Sequence, residues 1–423
     1  MTKPDNLQSI WSATASKTSL FPSITGGHKA DVLVVGAGYT GLSCALALAE
    51  AGASVVVLDA EQPGFGASGR NGGQVIPGLK YDPDTIDREF GEASTAFVGQ
   101  TADHVFDVIE RYSIDCDASR KGWIQASLKS SHLSKLGARM EQWKARGVRA
   151  GWLDQTAISA KTGASGLVGG WLDYRAGCVH PLNYARGLAR AASELGVRIF
   201  GKSRVTSLRR EGQYWQAQVG EGVSILTDQI VLATNGYTDH LWPGLRATMV
   251  PANSFQVATV PLPETLLTEI LPDGNVVSDS RRIANYFRIG PGNRLMIGGR
   301  GHFGEPGSAR SFRRIEANLT QLFPQLRGHA IEHRWSGRAA MTLDSLPHVM
   351  QPAPGVTAAL GYNGRGLAMG SALGFAIGRH LSDARVPLPL PVDPVKRLPV
   401  HGLHPIYGTA AILYYRMRDA LEA

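Results

Sequence analysis

The run Val35-Gly36-Ala37-Gly38-Tyr39-Thr40-Gly41 decides the fold because of what flanks it. A short apolar, β-branched stretch at 31–35 reads as a strand and leads into the glycines. An apolar helix over 41–51 follows, and then a second strand at 54–58 that closes on Asp59. Strand, glycine turn, helix and strand in this order make a βαβ unit and imply a parallel sheet. Gly36 permits the tight turn, Gly38 lets backbone approach a pyrophosphate, and Gly41 allows close helix–strand packing. The helix start offers unpaired N–H groups and its positive dipole end to phosphates. Asp59, at the end of the second strand, is placed to accept from ribose hydroxyls. A lone GxGxxG says little, but this one carries its full context and predicts a dinucleotide site.

Three further runs extend it. Gly64-Phe65-Gly66-Ala67-Ser68-Gly69-Arg70-Asn71-Gly72-Gly73-Gln74 follows directly on the ribose-binding acid. Such a loop can thread beneath a bound dinucleotide with its N–H groups exposed, which makes Arg70 and Asn71 candidates to meet phosphate or ring edges. Val231-Leu232-Ala233-Thr234-Asn235-Gly236-Tyr237 reads as a buried strand ending at the carboxyl edge of the sheet, where open α/β sheets bind ligands. Gly361-Tyr362-Asn363-Gly364-Arg365-Gly366-Leu367 joins bare N–H groups to another helix start, over 367–381. A second such site in one chain suits a ligand longer than a mononucleotide. The remaining pattern predicts helices at 133–146 and 181–195. Strands follow at 198–200, 215–219, 229–234, 254–259, 286–289 and 294–298. Residues 1–28 read as a docked or frayed arm; a Pro-rich linker at 386–399 precedes a terminal helix at about 406–421.

Composition narrows the class. The chain holds 50 glycines in 423 residues, well above the usual share of roughly 7%, with no triplet period to suggest collagen. Many of these glycines fall in turns suited to one extended ligand. Three widely spaced cysteines (Cys44, Cys116, Cys178) exclude a disulfide scaffold or zinc knuckle and fit a reducing, cytoplasmic compartment. No signal peptide, spanning helix, HExxH or other metal-ligand set is evident. The net charge is +8, but residues 279–338 hold eleven arginines, no lysine and four acids, each arginine set singly among other residue types or in short pairs. Polyanion surfaces usually cluster Lys with Arg on one face, so the pattern points away from nucleic acid and towards a small anion.

Taken in order, the four glycine runs resemble the amino-acid oxidase superfamily of flavoproteins, which includes glycine, sarcosine and D-amino-acid oxidases. The gamma-glutamylputrescine oxidase branch is the more closely similar, through Arg111–Asp117, His180–Asn183, Phe323–Leu326, Arg334–Gly337 and Tyr414–Asp419 as well. L-pipecolate oxidases share the same general architecture. The resemblance implies an α/β fold: a Rossmann-like FAD-binding domain (29–85, 155–245 and 335–385), a discontinuous, mainly antiparallel substrate domain (86–154 and 246–334), and a linker with a C-terminal helix (386–423). The cofactor set it implies is Gly36, Gly38, Tyr39, Thr40, Gly41, Asp59, Ala60, Gly66, Ala67, Ser68, Arg70, Asn71, Gly72, Gly73, Gln74, Val205, Thr234, Asn235, Gly361, Asn363, Gly364, Arg365, Gly366 and Leu367. The FAD is expected to be non-covalent, because sarcosine oxidases attach it through a C-terminal cysteine and the last cysteine here is Cys178.

The reaction implied is hydride transfer from the α carbon of an amine to flavin N5, leaving an imine. Arg338, after Trp335-Ser336-Gly337, matches the arginine with which amino-acid oxidases clamp a carboxylate; the alternative is a structural ion pair, for instance with Asp344. Tyr286, Arg300 and Arg365 complete the candidate catalytic set; for the carboxylate Arg300 and Arg288 are weaker candidates than Arg338, and Tyr286 and Trp335 are placed as pocket walls. Sarcosine oxidases activate oxygen with a lysine in the substrate half, and no lysine occurs between Lys202 and Lys396. That absence leaves both oxygen and a membrane quinone open as acceptor. The terminal helix, with aromatic and basic flanks, suits peripheral contact with a membrane interface; docking on the protein itself or on a partner subunit is the alternative. A non-catalytic flavin-binding subunit of a larger complex also remains open.

Overall fold

The computed structural model describes residues 7–421. Its first sheet is built on five parallel strands. His28–Val35 lies at the centre with Ser224–Leu232 and then Val356–Leu360 on one side, and Val55–Leu58 and then Arg198–Phe200 on the other. The central strands are buried on both faces, as parallel strands covered by helices must be. An antiparallel hairpin, Ser207–Glu211 and Tyr214–Gln218, extends the sheet from Ser224–Leu232.

The helix Tyr39–Glu50 packs on this sheet and against Ala368–Ser382. That second contact accounts for glycines outside any ligand turn. Gly370, Gly374 and Gly378 recur every four residues and so form one face, and a Cβ on Gly374 would collide with the Thr40 carbonyl. Part of the glycine excess therefore serves helix–helix approach.

The second sheet has eight strands in the order Ile331–Met341, Val250–Thr259, Arg294–Arg300, Asn285–Gly290, Val276–Asp279, Trp123–Ser127, Gly169–Asp173, Ala150–Leu153. All its pairings are antiparallel except that of Val276–Asp279 with Trp123–Ser127. Side chains alternate across it. Ile124, Val277, Phe287, Ile297, Phe255 and Val257 enter an apolar core, while Gln125, Ser278, Tyr286, Arg300, Ser254 and Gln256 occupy the other face.

Two expected boundaries move. Gly169–Asp173 belongs to the second sheet, since it pairs with both Trp123–Ser127 and Ala150–Leu153, although 155–245 was assigned to the first domain. The helix Thr101–Arg111 buries Ala102 and Val105 in the same core as Leu42 and Leu373, although 86–154 was assigned to the second. The N-terminal arm is docked from residue 7 onwards. In the helix Ile10–Thr14, Ile10 and Trp11 are fully buried, and Trp11 Nε1 donates to the Asn71 carbonyl at 2.8 Å.

Candidate active site

A cavity of about 970 Å³ lies between the carboxyl edge of the first sheet and the polar face of the second. That is the upper end of the ~300–1,000 Å³ typical of small-molecule and cofactor sites. Every residue of the expected cofactor set lines it, except Gly41, Gly73 and Gly361. Those three are packing positions: an added Cβ would strike the Gly36 carbonyl, the Val179 carbonyl and the Thr342 methyl respectively.

The first wall presents backbone. Gly36 has φ +107°, and a Cβ there would lie 2.8 Å from the Ala233 carbonyl, so only glycine fits the turn. Gly38, at the helix start, offers no side-chain cap, and Tyr39 N donates to Ser68 Oγ at 3.1 Å, which sets that hydroxyl beside the remaining N–H groups of the turn. Asp59 closes its strand and accepts from Ala37 N at 2.7 Å and Glu61 N at 2.8 Å. Burial raises its pKa, and those two N–H donors oppose the rise.

Several residues expected to touch the ligand spend their side chains holding loops. Asn71 donates to the carbonyls of Ala67 and Ser68 and accepts from Gly73 N at 2.8 Å. Asn235 accepts from Gly361 N at 3.0 Å and so ties the third glycine run to the fourth. Asn363 accepts from Thr342 N and donates to the Gly361 and Leu346 carbonyls. Both Asn235 and Asn363 have positive φ, which asparagine tolerates better than most residues.

The donor set fits an extended dinucleotide bearing a ring system. Unpaired N–H groups and a hydroxyl suit the phosphates, and Asp59 suits the ribose. Gln256 supplies the sharpest indication: its Nε2 donates to the Arg70 carbonyl at 2.6 Å, but its Oε1 is buried with no partner. That acceptor lies 3.7 Å from where a Cβ on Gly72 would stand, which leaves it for an N–H of a bound ligand.

The second wall presents side chains. Tyr286 lies across from Gly298, whose missing side chain leaves space for the ring, and exchanges a hydrogen bond with Ser254 Oγ at 2.8 Å. Burial pushes the Tyr286 hydroxyl up to about 12, so it remains a donor at neutral pH. Arg300 is also on this face. Its guanidinium meets the Met341 sulfur at 3.4 Å and no carboxylate among the described residues. Arg365 donates to the Pro77 carbonyl at 3.0 Å and stacks 4.9 Å from the Trp123 ring; burial pulls its pKa down.

Lys80 was not anticipated. It lines the same end of the cavity with its side chain exposed to that space, and desolvation by the surrounding walls, then the charges of Arg300 and Arg365, bring its ammonium down to about 8. The cavity therefore does contain a lysine, contributed from far outside the segment 202–396 where one was sought. Nothing in its local sequence marks it.

Arg338 also lines the cavity, but from a different strand face: Gly337 pairs with Ser254 and faces the cavity loop at Arg70, whereas Arg338 pairs with Asn253 and turns to the other side. Its guanidinium is already engaged there, pairing with Glu305 at 3.0 Å, not with Asp344, and stacking 5.1 Å from the ring of Tyr237, another cavity residue. Arg288 is structural: it is buried and donates to the carbonyls of Gly73 and Val179. Trp335 does not line the cavity; its Nε1 donates to the Arg70 carbonyl at 3.0 Å, beside Trp11. His180 caps the helix Pro181–Glu194, and burial lowers its pKa to about 4.

The family model for FAD dependent oxidoreductases (DAO) matches residues 31–380. The chain is 34% identical to a probable oxidoreductase, OrdL, of Haemophilus influenzae, with 86% of each chain covered. It is 32% identical to gamma-glutamylputrescine oxidoreductase of Escherichia coli over 99% of both. Among solved structures, glycine oxidase from Geobacillus kaustophilus superposes with a TM-score of 0.71 at 21% identity, covering 84% of this chain and 95% of that one. L-proline dehydrogenase from P. horikoshii gives 0.72 at 18%, covering 86% and 96%.

Proposed function

Since the chain belongs to the DAO family of FAD-dependent oxidoreductases, we propose that it oxidises the C–N bond of a carboxylate-bearing amine, of the gamma-glutamylputrescine or L-pipecolate kind. The observation that carries this reading is Arg300: half-buried, on the polar face of the second sheet beside Tyr286 and Lys80, and without a carboxylate partner among the described residues. A guanidinium in a cavity wall with no counter-ion is a site for one, and its planar fork suits a carboxylate.

The glycine runs and Asp59 would hold FAD, with Gln256 Oε1 accepting from it. Binding is non-covalent in this reading, as no cysteine lines the cavity among the described residues. When bound, FAD supplies the hydride acceptor for the carbon next to nitrogen. The protein's own part is to anchor the carboxylate at Arg300 and Lys80, to orient the amine past the Tyr286 hydroxyl, and to exclude water behind Trp123. The acceptor of the electrons is oxygen or a quinone.

Anaerobic titration of the yellow protein with a panel of amines and amino acids tests the reading. Carboxylate-bearing amines are expected to bleach the flavin and the matching amines without a carboxylate to fail. Bleaching by none of them would favour a non-catalytic flavin subunit. In air, peroxide formed in step with substrate loss assigns oxygen; reduction of a soluble quinone without peroxide assigns the quinone.

A further inference from the structure

The terminal helix His404–Leu421 is amphipathic with its faces reversed. Residues three and four apart share a helix face, and Ile406, Ala410, Leu413, Met417 and Leu421 make one such stripe. It is exposed: 68% at Ile406, 59% at Leu413, 53% at Met417 and 74% at Leu421, with Tyr414 alongside. The opposite side, which touches the protein, mixes small and polar residues with the half-buried Tyr407 and Ile412. Gly408 sits against the Phe303 ring, and Arg416 donates to the Arg300 carbonyl at 3.4 Å. The Asp419 carboxylate accepts from the backbone N–H groups of Arg282 at 3.2 Å and Ile283 at 3.1 Å, and Lys129 donates to the Asp419 carbonyl. Directed hydrogen bonds therefore fix which way the helix faces, and they turn the apolar stripe outwards. A helix that merely closed the chain would bury that stripe, because burial of apolar surface is what drives packing.

The stripe's surroundings indicate what covers it. Asp419 is the only acid in the described helix, and it points inwards. Arg310, Arg313 and Arg314, on and just before the helix Arg313–Leu322, are exposed and have no carboxylate partner among the described residues. Burial, and then the charge of nearby Arg314, lower the pKa of the Arg416 guanidinium. An apolar stripe on a helix with unpaired cations on a neighbouring segment complements a surface that is anionic outside and apolar beneath. A second copy of the chain fits less well, since a two-fold contact would bring the same arginines together. No described helix is long and apolar enough to cross a membrane.

We propose that this helix lies on an anionic lipid surface, with Leu413, Met417 and Leu421 in the acyl boundary, Tyr414 at the interface and the arginines against lipid phosphates. The backbone it holds, at Arg282, Ile283 and Arg300, belongs to the cavity wall, so the lipid-facing helix also borders the candidate active site. The surface reading is independent of the substrate.

The test is co-sedimentation of the full-length flavoprotein with vesicles of phosphatidylcholine alone or mixed with phosphatidylglycerol. Wild type is expected to follow the anionic vesicles, more weakly at high salt, and to bind the neutral ones roughly tenfold less. The double variant Leu413→Glu/Met417→Glu should lose roughly 100-fold of that binding while keeping its flavin absorbance, which excludes misfolding. Absence of wild-type binding to anionic vesicles overturns the proposal, as does equal binding by the double variant. A concentration-dependent dimer that the same variant abolishes would also overturn it and assign the face to a second copy.

Discussion

The two walls of the cavity recognise their ligands by different means. The first-sheet wall uses backbone: positive-φ glycine at position 36, a helix start without a side-chain cap, and loops held by Asn71, Asn235 and Asn363. The second-sheet wall uses long side chains from distant segments: Tyr286, Arg300 and Gln256 from three strands, Lys80 from a loop, and Arg365 from the start of a helix. A backbone site needs a contiguous glycine pattern, because the N–H groups must follow one another along the chain. A side-chain site needs only convergence, so its residues can be scattered. The first wall is thus intolerant of added bulk, and the second of lost charge.

The largest effect is expected at the first wall. Gly36→Val places a β-branched residue at φ +107° against the Ala233 carbonyl, at a cost of about 4 kcal/mol or more. Purified protein should lack the flavin absorbance band; normal flavin content would break the contrast. At the second wall, Arg300→Met should leave flavin content intact and lower kcat/KM for carboxylate substrates by roughly 100- to 1,000-fold, with little change for an amine lacking the carboxylate.

Lys80→Met is expected to raise KM about tenfold, and pH sharpens this. Lys80 is cationic below about 8 and neutral above it, so its attraction for a carboxylate is present at low pH and lost as pH rises through that value. KM of the wild type should climb across this range and that of the variant should not, as steady-state kinetics would show. Trp11→Phe removes one hydrogen bond to the Asn71 carbonyl and should cost about 1 kcal/mol, a fall in Tm of about 2 °C for a chain of this size. Arg338→Ala should change least. Its ion pair with Glu305 is half-exposed, so kcat/KM should stay within about twofold; a steep rise in KM would return the carboxylate to Arg338 and undo the assignment to Arg300.

The βαβ unit was legible because each part is encoded locally. Apolar runs of five residues, glycines at fixed offsets and an acid at the strand end require no knowledge of the rest of the chain, and 36, 38 and 59 all line the cavity as read. The second wall was legible only in part. Tyr286, Arg300 and Arg365 were named and do line it, but Lys80, Gln256 and Trp123 were missed, since a loop lysine or a strand glutamine has no local signature. Arg338 was named too and lines the cavity, but its strand face, opposite to that of its neighbour Gly337, is set by register, which a one-residue shift would invert and which the sequence does not show.

The same division extends beyond the site. Local sequence was enough for the parallel sheet, the glycine turns and the presence of a terminal helix, because propensity, turn chemistry and periodicity act over a few residues. Register across Val250–Thr259, Ile331–Met341 and Arg294–Arg300 decided which strand face Arg300 and Arg338 each occupy. Packing of the arm decided that Trp11 supports the Asn71 loop, and the hydrogen bonds of Arg416 and Asp419 decided which side of the last helix meets solvent. Those outcomes depend on contacts between residues far apart in the chain, and such contacts exist only once the chain has folded.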